Sequence, residues 1–196
     1  VIHTNLGRAP MAAEVLEYVQ EVSSGYCNLE LRLANGKRGG RLSGIQTLLT
    51  ELTGAQAALA VNNNAAATML ILSAVAAGKE VIVSRGELVE IGGSFRIPDV
   101  ISNGGATLVE VGTTNRTTVQ DYERAITENT GALLRVHPSN YRVVGFSKRA
   151  PRKELAQLAK KYNIPLIDDL GSGLLGKIPK VSWARELEEE ESIKRA

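Results

Sequence analysis

The sequence holds a single cysteine, Cys27, so no disulfide can close within it, and a reducing compartment is the expected setting. No apolar run approaches the roughly 20 residues that a membrane-spanning helix needs. No basic-then-apolar leader opens the chain, and a cytoplasmic location without membrane contact is the expectation. The two histidines, His3 and His137, lie far apart, which with one cysteine makes no metal-ligand spacing. The formal net charge of +2 argues neither for nor against a nucleic-acid partner. There is no internal repeat, and no low-complexity tract before the C-terminal end. What is present is 196 residues, 43% apolar and 22% charged, which is ordinary globular composition and enough for one core. The first residue is Val1 rather than Met, and a fragment is expected at that end.

Strand-like and helix-like segments alternate along most of the length. Short apolar runs predict strands at Ala55–Val61, Val81–Val83, Leu108–Val111, Leu133–Val136 and Leu166–Ile167, with a short extended piece at Val143–Phe146. Helices are expected from Pro10 to about Ser23, from a capping-box pattern at Ser43 to Gly54, over Ala65–Ala77, around Pro98–Ser102, from a second capping-box pattern at Thr118–Asp121, and from Pro151. Regular alternation predicts an α/β fold with a mostly parallel sheet, right-handed crossovers and flanking helices. The glycine-rich stretches 24–42 and 84–99 read as irregular. Residues 1–176 are taken as one core and 177–196, with four consecutive glutamates at Glu188–Glu191, as a divergent charged tail.

Ligands of open α/β sheets sit beyond the carboxyl ends of the strands, so the residues there matter most. The apolar strand Ile164–Ile167 runs into Asp168 and Asp169, followed by a glycine-rich turn. Either the two carboxylates cap that turn, or Asp169 answers a cation such as the protonated ring nitrogen of a cofactor. Asn64, Ala65 and Ala66 open a helix, where free N–H groups can cradle a phosphate or an asparagine can simply cap. His137-Pro138-Ser139-Asn140 follows another strand, and Asn140 can donate to a phenolic or carbonyl oxygen. Arg38, Arg41, Arg85, Arg96, Arg116 and Arg142 fall in irregular segments, as oxyanion ligands or as exposed surface groups. Gly171–Lys177 fits part of a P-loop, but Ile178 stands where Ser or Thr must hold magnesium, which excludes it. Asn115-Arg116-Thr117 matches a glycosylation acceptor by chance.

Three stretches are specific. Ser84–Asp99 (SRGELVEIGGSFRIPD), Glu110–Thr117 (EVGTTNRT) and Ser139–Arg142 (SNYR) closely resemble bacterial selenocysteine synthase, the L-seryl-tRNA(Sec) selenium transferases. His3–Arg8, Gly36–Gly39, Val61–Ala67 and Asp169–Gly173 add to the resemblance, which runs from about Val1 to Gly173.

The resemblance implies the large domain of a fold-type-I transferase dependent on pyridoxal 5'-phosphate, converting seryl-tRNA(Sec) to selenocysteinyl-tRNA(Sec) with selenophosphate. It implies a homo-oligomer, a ring of dimers with sites between subunits. By position it places Asp169 on the pyridinium nitrogen, the Asn64, Ala65 and Ala66 turn on the phosphate, Asn140 near the ring hydroxyl, Ser139 among the cofactor-binding residues, and Arg38, Arg41, Arg85 and Arg96 on selenophosphate or the tRNA end. The family also has a tRNA-binding domain ahead of this segment, and its Schiff-base lysine sits in a Ser-Gly-Asp-Lys-like motif beyond Asp169; neither occurs in this sequence. The chain is therefore expected to be truncated at both ends and not to turn over by itself. The competing readings are a related pyridoxal lyase acting on a small amino acid or amino sugar acid, and an inactive module that binds anions or a partner.

Overall fold

The computed structural model describes residues 10–171 and 173. The segment His3–Arg8 and the charged stretch 177–196 lie outside the described residues. Val1–Ala60 and Val61–Ala196 separate as two compact units.

In the first unit, helix α1 (Ala13–Ser23) begins three residues after Pro10, behind an uncapped Ala12. A two-residue hairpin, β1 (Leu31–Arg32) with antiparallel β2 (Lys37–Arg38), turns at Gly36, and helix α2 (Ser43–Thr53) follows. The capping box expected at Ser43 does not form, because the Ser43 hydroxyl donates to the Gly40 carbonyl instead, at 3.0 Å. Neither helix buries a residue, so the apolar stripes Val15, Leu16, Val19, Val22 on α1 and Ile45, Leu48, Leu52 on α2 are bare.

The second unit holds α3 (Asn64–Val75), β3 (Glu80–Ser84), a 3₁₀ turn (Arg85–Glu87), a small antiparallel hairpin β4 (Glu90–Ile91) and β5 (Phe95–Arg96), α4 (Ile97–Asn103), β6 (Thr107–Val111), α5 (Val119–Ala125), β7 (Thr130–Val136), α6 (Arg152–Tyr162) and β8 (Leu166–Asp169). The main sheet has the order β6-β3-β7-β8, and every pairing in it is parallel. The α/β expectation holds. Each expected sheet strand from Val81 onward is present, lengthened where neighbours offer ladder partners.

Alternation along the strands sorts side chains onto two faces. Val81, Val83, Leu134, Val136 and Ile167 pack with Leu72 of α3, with Ala76 just past its end, and with Val100 and Ile101 of α4. Ile82 and Leu133 face the other way, onto Tyr122 of α5 and Leu155 and Leu158 of α6. Tyr122 is fully buried, and its hydroxyl accepts the Ser84 N–H at 3.1 Å. Burial in this apolar layer pushes that hydroxyl's pKa upward.

Two expectations fail. Ala55–Val61 is irregular; it pairs with no described strand, and a strand without a ladder partner gains nothing over solvated coil. Val143–Phe146 joins no ladder either; the Phe146 carbonyl instead accepts from the Asn115 amide at 2.7 Å. The capping box at Thr118 does form, its N–H donating to the Asp121 carboxylate at 2.8 Å.

The loop after β6 turns at Gly112, with φ +67°, and a Cβ there would lie 2.3 Å from Thr117 Oγ1. Thr117 Oγ1 is itself 2.6 Å from Ser84 Oγ at the end of β3. Gly112→Ala is expected to destabilise the chain by about 2 kcal/mol or more, since it combines a left-handed φ with a buried clash. Urea denaturation checks this, and an unchanged midpoint would contradict it.

Candidate functional site

The chain leaves β3 to build β6 on one side, then returns to build β7 on the other. The order therefore reverses between β3 and β7, and the crevice beyond their carboxyl ends is where such sheets bind ligands. Some of the residues read from sequence at strand ends meet on this rim: Asp169, Asn64 and the His137 turn.

Asp168 and Asp169 diverge because successive side chains of a strand face opposite ways. Asp168 stands directly across from Arg135 of β7 in the ladder. It pairs with Arg135 at 3.0 Å and with Arg152 of α6 at 3.3 Å, where Arg135 is 7% and Asp168 12% exposed. Asp169 turns to the α3 face. Its Oδ1 accepts from the Asn64 side-chain amide at 3.0 Å and from the Gly171 N–H at 3.0 Å. Its backbone carbonyl accepts the His137 N–H at 2.9 Å. A carboxylate, a helix N-terminus and the His137 turn thus meet at one point.

At that N-terminus the cap is Asn63, whose Oδ1 accepts the Ala66 N–H at 2.8 Å. Of the three residues read as a cradle, Ala66 has its N–H committed to the cap. Asn64 and Ala65 occupy the first helical positions, where an N–H has no intrahelical acceptor. Gly171 has φ +66°, and a Cβ on it would stand 2.9 Å from Ser139 Oγ and 3.2 Å from His137 Nδ1. His137 is buried, and its Nδ1 finds no hydrogen-bond partner among the described residues.

The other residues expected at the site are engaged elsewhere. The Asn140 amide donates to the Glu90 carbonyl at 2.9 Å. In the first unit Arg38 and Arg41 both bind Glu30. In the second, Arg85 pairs with Glu110 at 3.1 Å and Arg96 with Glu90 at 2.6 Å. All four guanidinium groups are at least half exposed, so these pairs are weak and an incoming anion competes with them at small cost.

Sequence reasoning missed Glu87. It is 4% exposed, and its Oε2 accepts the Val136 N–H at 3.0 Å while Oε1 accepts from Arg149 at 3.0 Å. Arg149 also donates to the Val136 carbonyl at 2.8 Å. Pairing of β3 with β7 ends at Val83–Leu134, so this ion pair continues the ladder with side chains and holds the strand end that carries His137. Burial lifts the Glu87 carboxyl above the usual glutamate range, against the opposing pull of Arg149 and the Val136 N–H. Arg135 was missed too, although a signal was there: an arginine inside the apolar run Gly131–Val136 demands a buried carboxylate, and Asp168 is that group.

A cavity of about 290 Å³ opens beside the rim, between the ends of β3 and β7. Glu87, His137, Arg116, Arg142, Lys148 and Arg149 line it, a largely cationic wall. Among the described residues no group of His, Cys, Asp and Glu could hold a metal ion, and no helix is long and apolar enough to cross a membrane.

The family model for L-seryl-tRNA selenium transferase, SelA, matches residues 1–196. The chain belongs to that family. The match takes in 177–196 as well, so the charged segment lies inside it. The L-seryl-tRNA(Sec) selenium transferase of Desulfovibrio desulfuricans is 59% identical over 175 residues, covering 89% of this chain and 37% of the relative. The chain spans about two-fifths of the length of the curated relatives it matches. Among solved structures, a D-glucosaminate-6-phosphate ammonia-lyase superposes with a TM-score of 0.67 at 25% identity, covering 85% of this chain and 46% of that one. A serine palmitoyltransferase from S. paucimobilis, solved with PLP and myriocin, superposes at a TM-score of 0.54 and 18% identity, covering 81% of this chain and 38% of that one. The chain has the fold of fold-type-I pyridoxal-phosphate enzymes.

Proposed function

We propose that this chain is the cofactor-binding core of a protein that converts seryl-tRNA(Sec) to selenocysteinyl-tRNA(Sec), with selenophosphate as the selenium donor. The observation that supports it best is the meeting of Asp169 with the N-terminus of α3, on a chain 59% identical to a named selenium transferase. The residues present fit pyridoxal phosphate. One carboxylate stands at a strand end, next to a helix N-terminus and to Gly171, on which a Cβ would crowd Ser139 and His137.

When bound, pyridoxal phosphate supplies an electron sink for reaction at the seryl α-carbon. The protein's part is placement and charge. Asp169 keeps the proton on the ring nitrogen, since opposite charges in contact stabilise each other. The Asn64 and Ala65 N–H groups hold the phosphate, with the helix dipole behind them. Ser139 and Asn140 stand for the ring hydroxyl; Asn140 must exchange its Glu90 carbonyl for it. Arg85 and Arg96 in the second unit, and separately Arg38 and Arg41 in the first, serve selenophosphate or the tRNA end by releasing their glutamates; the cationic cavity of the second unit suits a phosphate group. The bare apolar stripes of α1 and α2 suit a homo-oligomer, in which a second copy covers them.

The lyase reading is weaker, because 25% identity to an ammonia-lyase stands against 59% to a selenium transferase. The test is selenium transfer by the full-length protein that carries this segment, given seryl-tRNA(Sec) and selenophosphate. The expected product is selenocysteinyl-tRNA(Sec), formed only after pyridoxal phosphate has been loaded. Ammonia release from a small amino acid, with no selenium on tRNA, would overturn the assignment.

A further inference from the structure

The Asn64 side chain does something other than cap its helix or face a phosphate. Its Nδ2 donates to Asp169 Oδ1 at 3.0 Å across 105 residues of sequence. The amide cannot be reversed without cost, because its Oδ1 then leaves the Thr68 hydroxyl, 3.4 Å away, and turns toward the carboxylate. Thr68 is 5% exposed, and its one hydroxyl proton is shared between the Asn64 carbonyl at 3.0 Å and the Asn64 Oδ1 at 3.4 Å, so the first turn of α3 lies behind the amide. With the Gly171 N–H on the same oxygen, Oδ1 holds two donors, and Oδ2 has no hydrogen bond to a described residue.

We infer that Asn64 is a positioning residue: its amide locks the Asp169 carboxylate so that Oδ2 is presented to the cationic ring nitrogen of pyridoxal phosphate. This rests on the reading of Asp169 given above. A carboxylate free to rotate about two bonds spends part of its time with neither oxygen aimed at the ring, while one pinned at Oδ1 does not. The lock also couples the two ends of the cofactor site. Asn64 is the first residue of α3, so the same turn that offers N–H groups to the phosphate sets the distance to the ring's partner.

Two variants of the full-length protein test this, with pyridoxal phosphate binding and the pH dependence of its bound absorbance as readouts beside activity. Asn64→Ala should weaken binding roughly tenfold, the loss of one hydrogen bond to a charged group, and shift the absorbance transition of the ring nitrogen to lower pH. Asn64→Asp separates positioning from folding, because an acid at a helix N-terminus favours the helix. It should bind poorly at pH 8, where two carboxylates oppose each other. It should recover toward acid pH, where the introduced carboxyl, once protonated, again donates to Asp169. Wild-type binding and an unshifted transition in Asn64→Ala, or no acid recovery in Asn64→Asp, would overturn the inference while leaving the cofactor reading intact. A wild-type protein that binds no pyridoxal phosphate at all would overturn both.

Discussion

Asp168→Ala is expected to destabilise the chain by about 3–5 kcal/mol, whereas Asp169→Ala costs about 1 kcal/mol and instead abolishes selenium transfer in the full-length protein. The two residues are adjacent in sequence and opposite in surroundings. Asp168 pairs with Arg135 inside the sheet and is shared with Arg152; its removal takes a carboxylate at 3.0 Å from a guanidinium that is 7% exposed. Asp169 is half-buried and bonded to two N–H groups that water can reach, so its loss is cheap for folding. On the proposed role of Asp169, its loss removes the carboxylate that would keep a proton on the cofactor's ring. Equilibrium unfolding of both variants, with selenium incorporation into tRNA as the second measurement, decides the matter. If Asp168→Ala keeps its stability and loses transfer while Asp169→Ala transfers normally, the roles of the two residues are exchanged.

The second large effect is pH-dependent and belongs to Glu87. Its carboxyl is lifted above the ordinary value of 4.5, chiefly by burial. In the folded chain it therefore keeps its proton over a range where the unfolded chain has lost it. The stability it contributes is complete below about pH 4.5 and falls as pH rises through the native value, because there the native state binds more protons than the unfolded one. Glu87→Gln should remove this slope while retaining an acceptor for the Val136 N–H. Glu87→Ala should cost about 3 kcal/mol at neutral pH, since it leaves that N–H without its acceptor and takes the carboxylate from Arg149, which among the described residues keeps only the Val136 carbonyl. Arg149 is 41% exposed, and water replaces part of its loss. Denaturation midpoints of the three proteins between pH 4.5 and 8 provide the check. A Gln variant with the same slope as the wild type would place the titration elsewhere.

The consequence for function runs through Val136. Its two backbone groups are held by Glu87 and Arg149, it lies opposite Asp169 in the ladder, and the next residue's N–H binds the Asp169 carbonyl. Loosening that strand end displaces the carboxylate and the His137 turn together. Glu87 substitutions are therefore expected to depress cofactor affinity as well as stability.

The order of strands and helices was written in local patterns. Short apolar runs, glycine stops and the Thr118–Asp121 capping box depend on neighbours within a few residues, and these placed every strand of the main sheet. The same logic put Asp169 and Ser139 on the rim, because residues just past the carboxyl end of a parallel strand have nowhere else to go; Asn64 reaches Asp169 although the strand expected before it does not form. The family likeness was legible for a different reason: Ser84–Asp99 has almost no period, so its residues report a site more than a scaffold.

Tertiary structure alone decided which partners those residues chose. Ala55–Val61 has the composition of a strand, but a strand exists only where another offers its hydrogen bonds. Ser43 and Gln46 spell a capping box, yet the hydroxyl takes the Gly40 carbonyl three residues back. Glu87 sits in a polar, glycine-bearing stretch that reads as solvated, and it is buried only because β3 stops short of Val136 and leaves an N–H to be met. Arg85 and Arg96 are oxyanion ligands by type, and each has found a glutamate on a neighbouring strand. Asn64 was assigned to a phosphate through its backbone; that its amide reaches Asp169, 105 residues away, follows from how β8 is laid beside β7 beneath α3. Local sequence sets periodicity and chain direction. Long-range pairing sets which polar group answers which, because an unmet buried donor or charge costs more than any local preference can return.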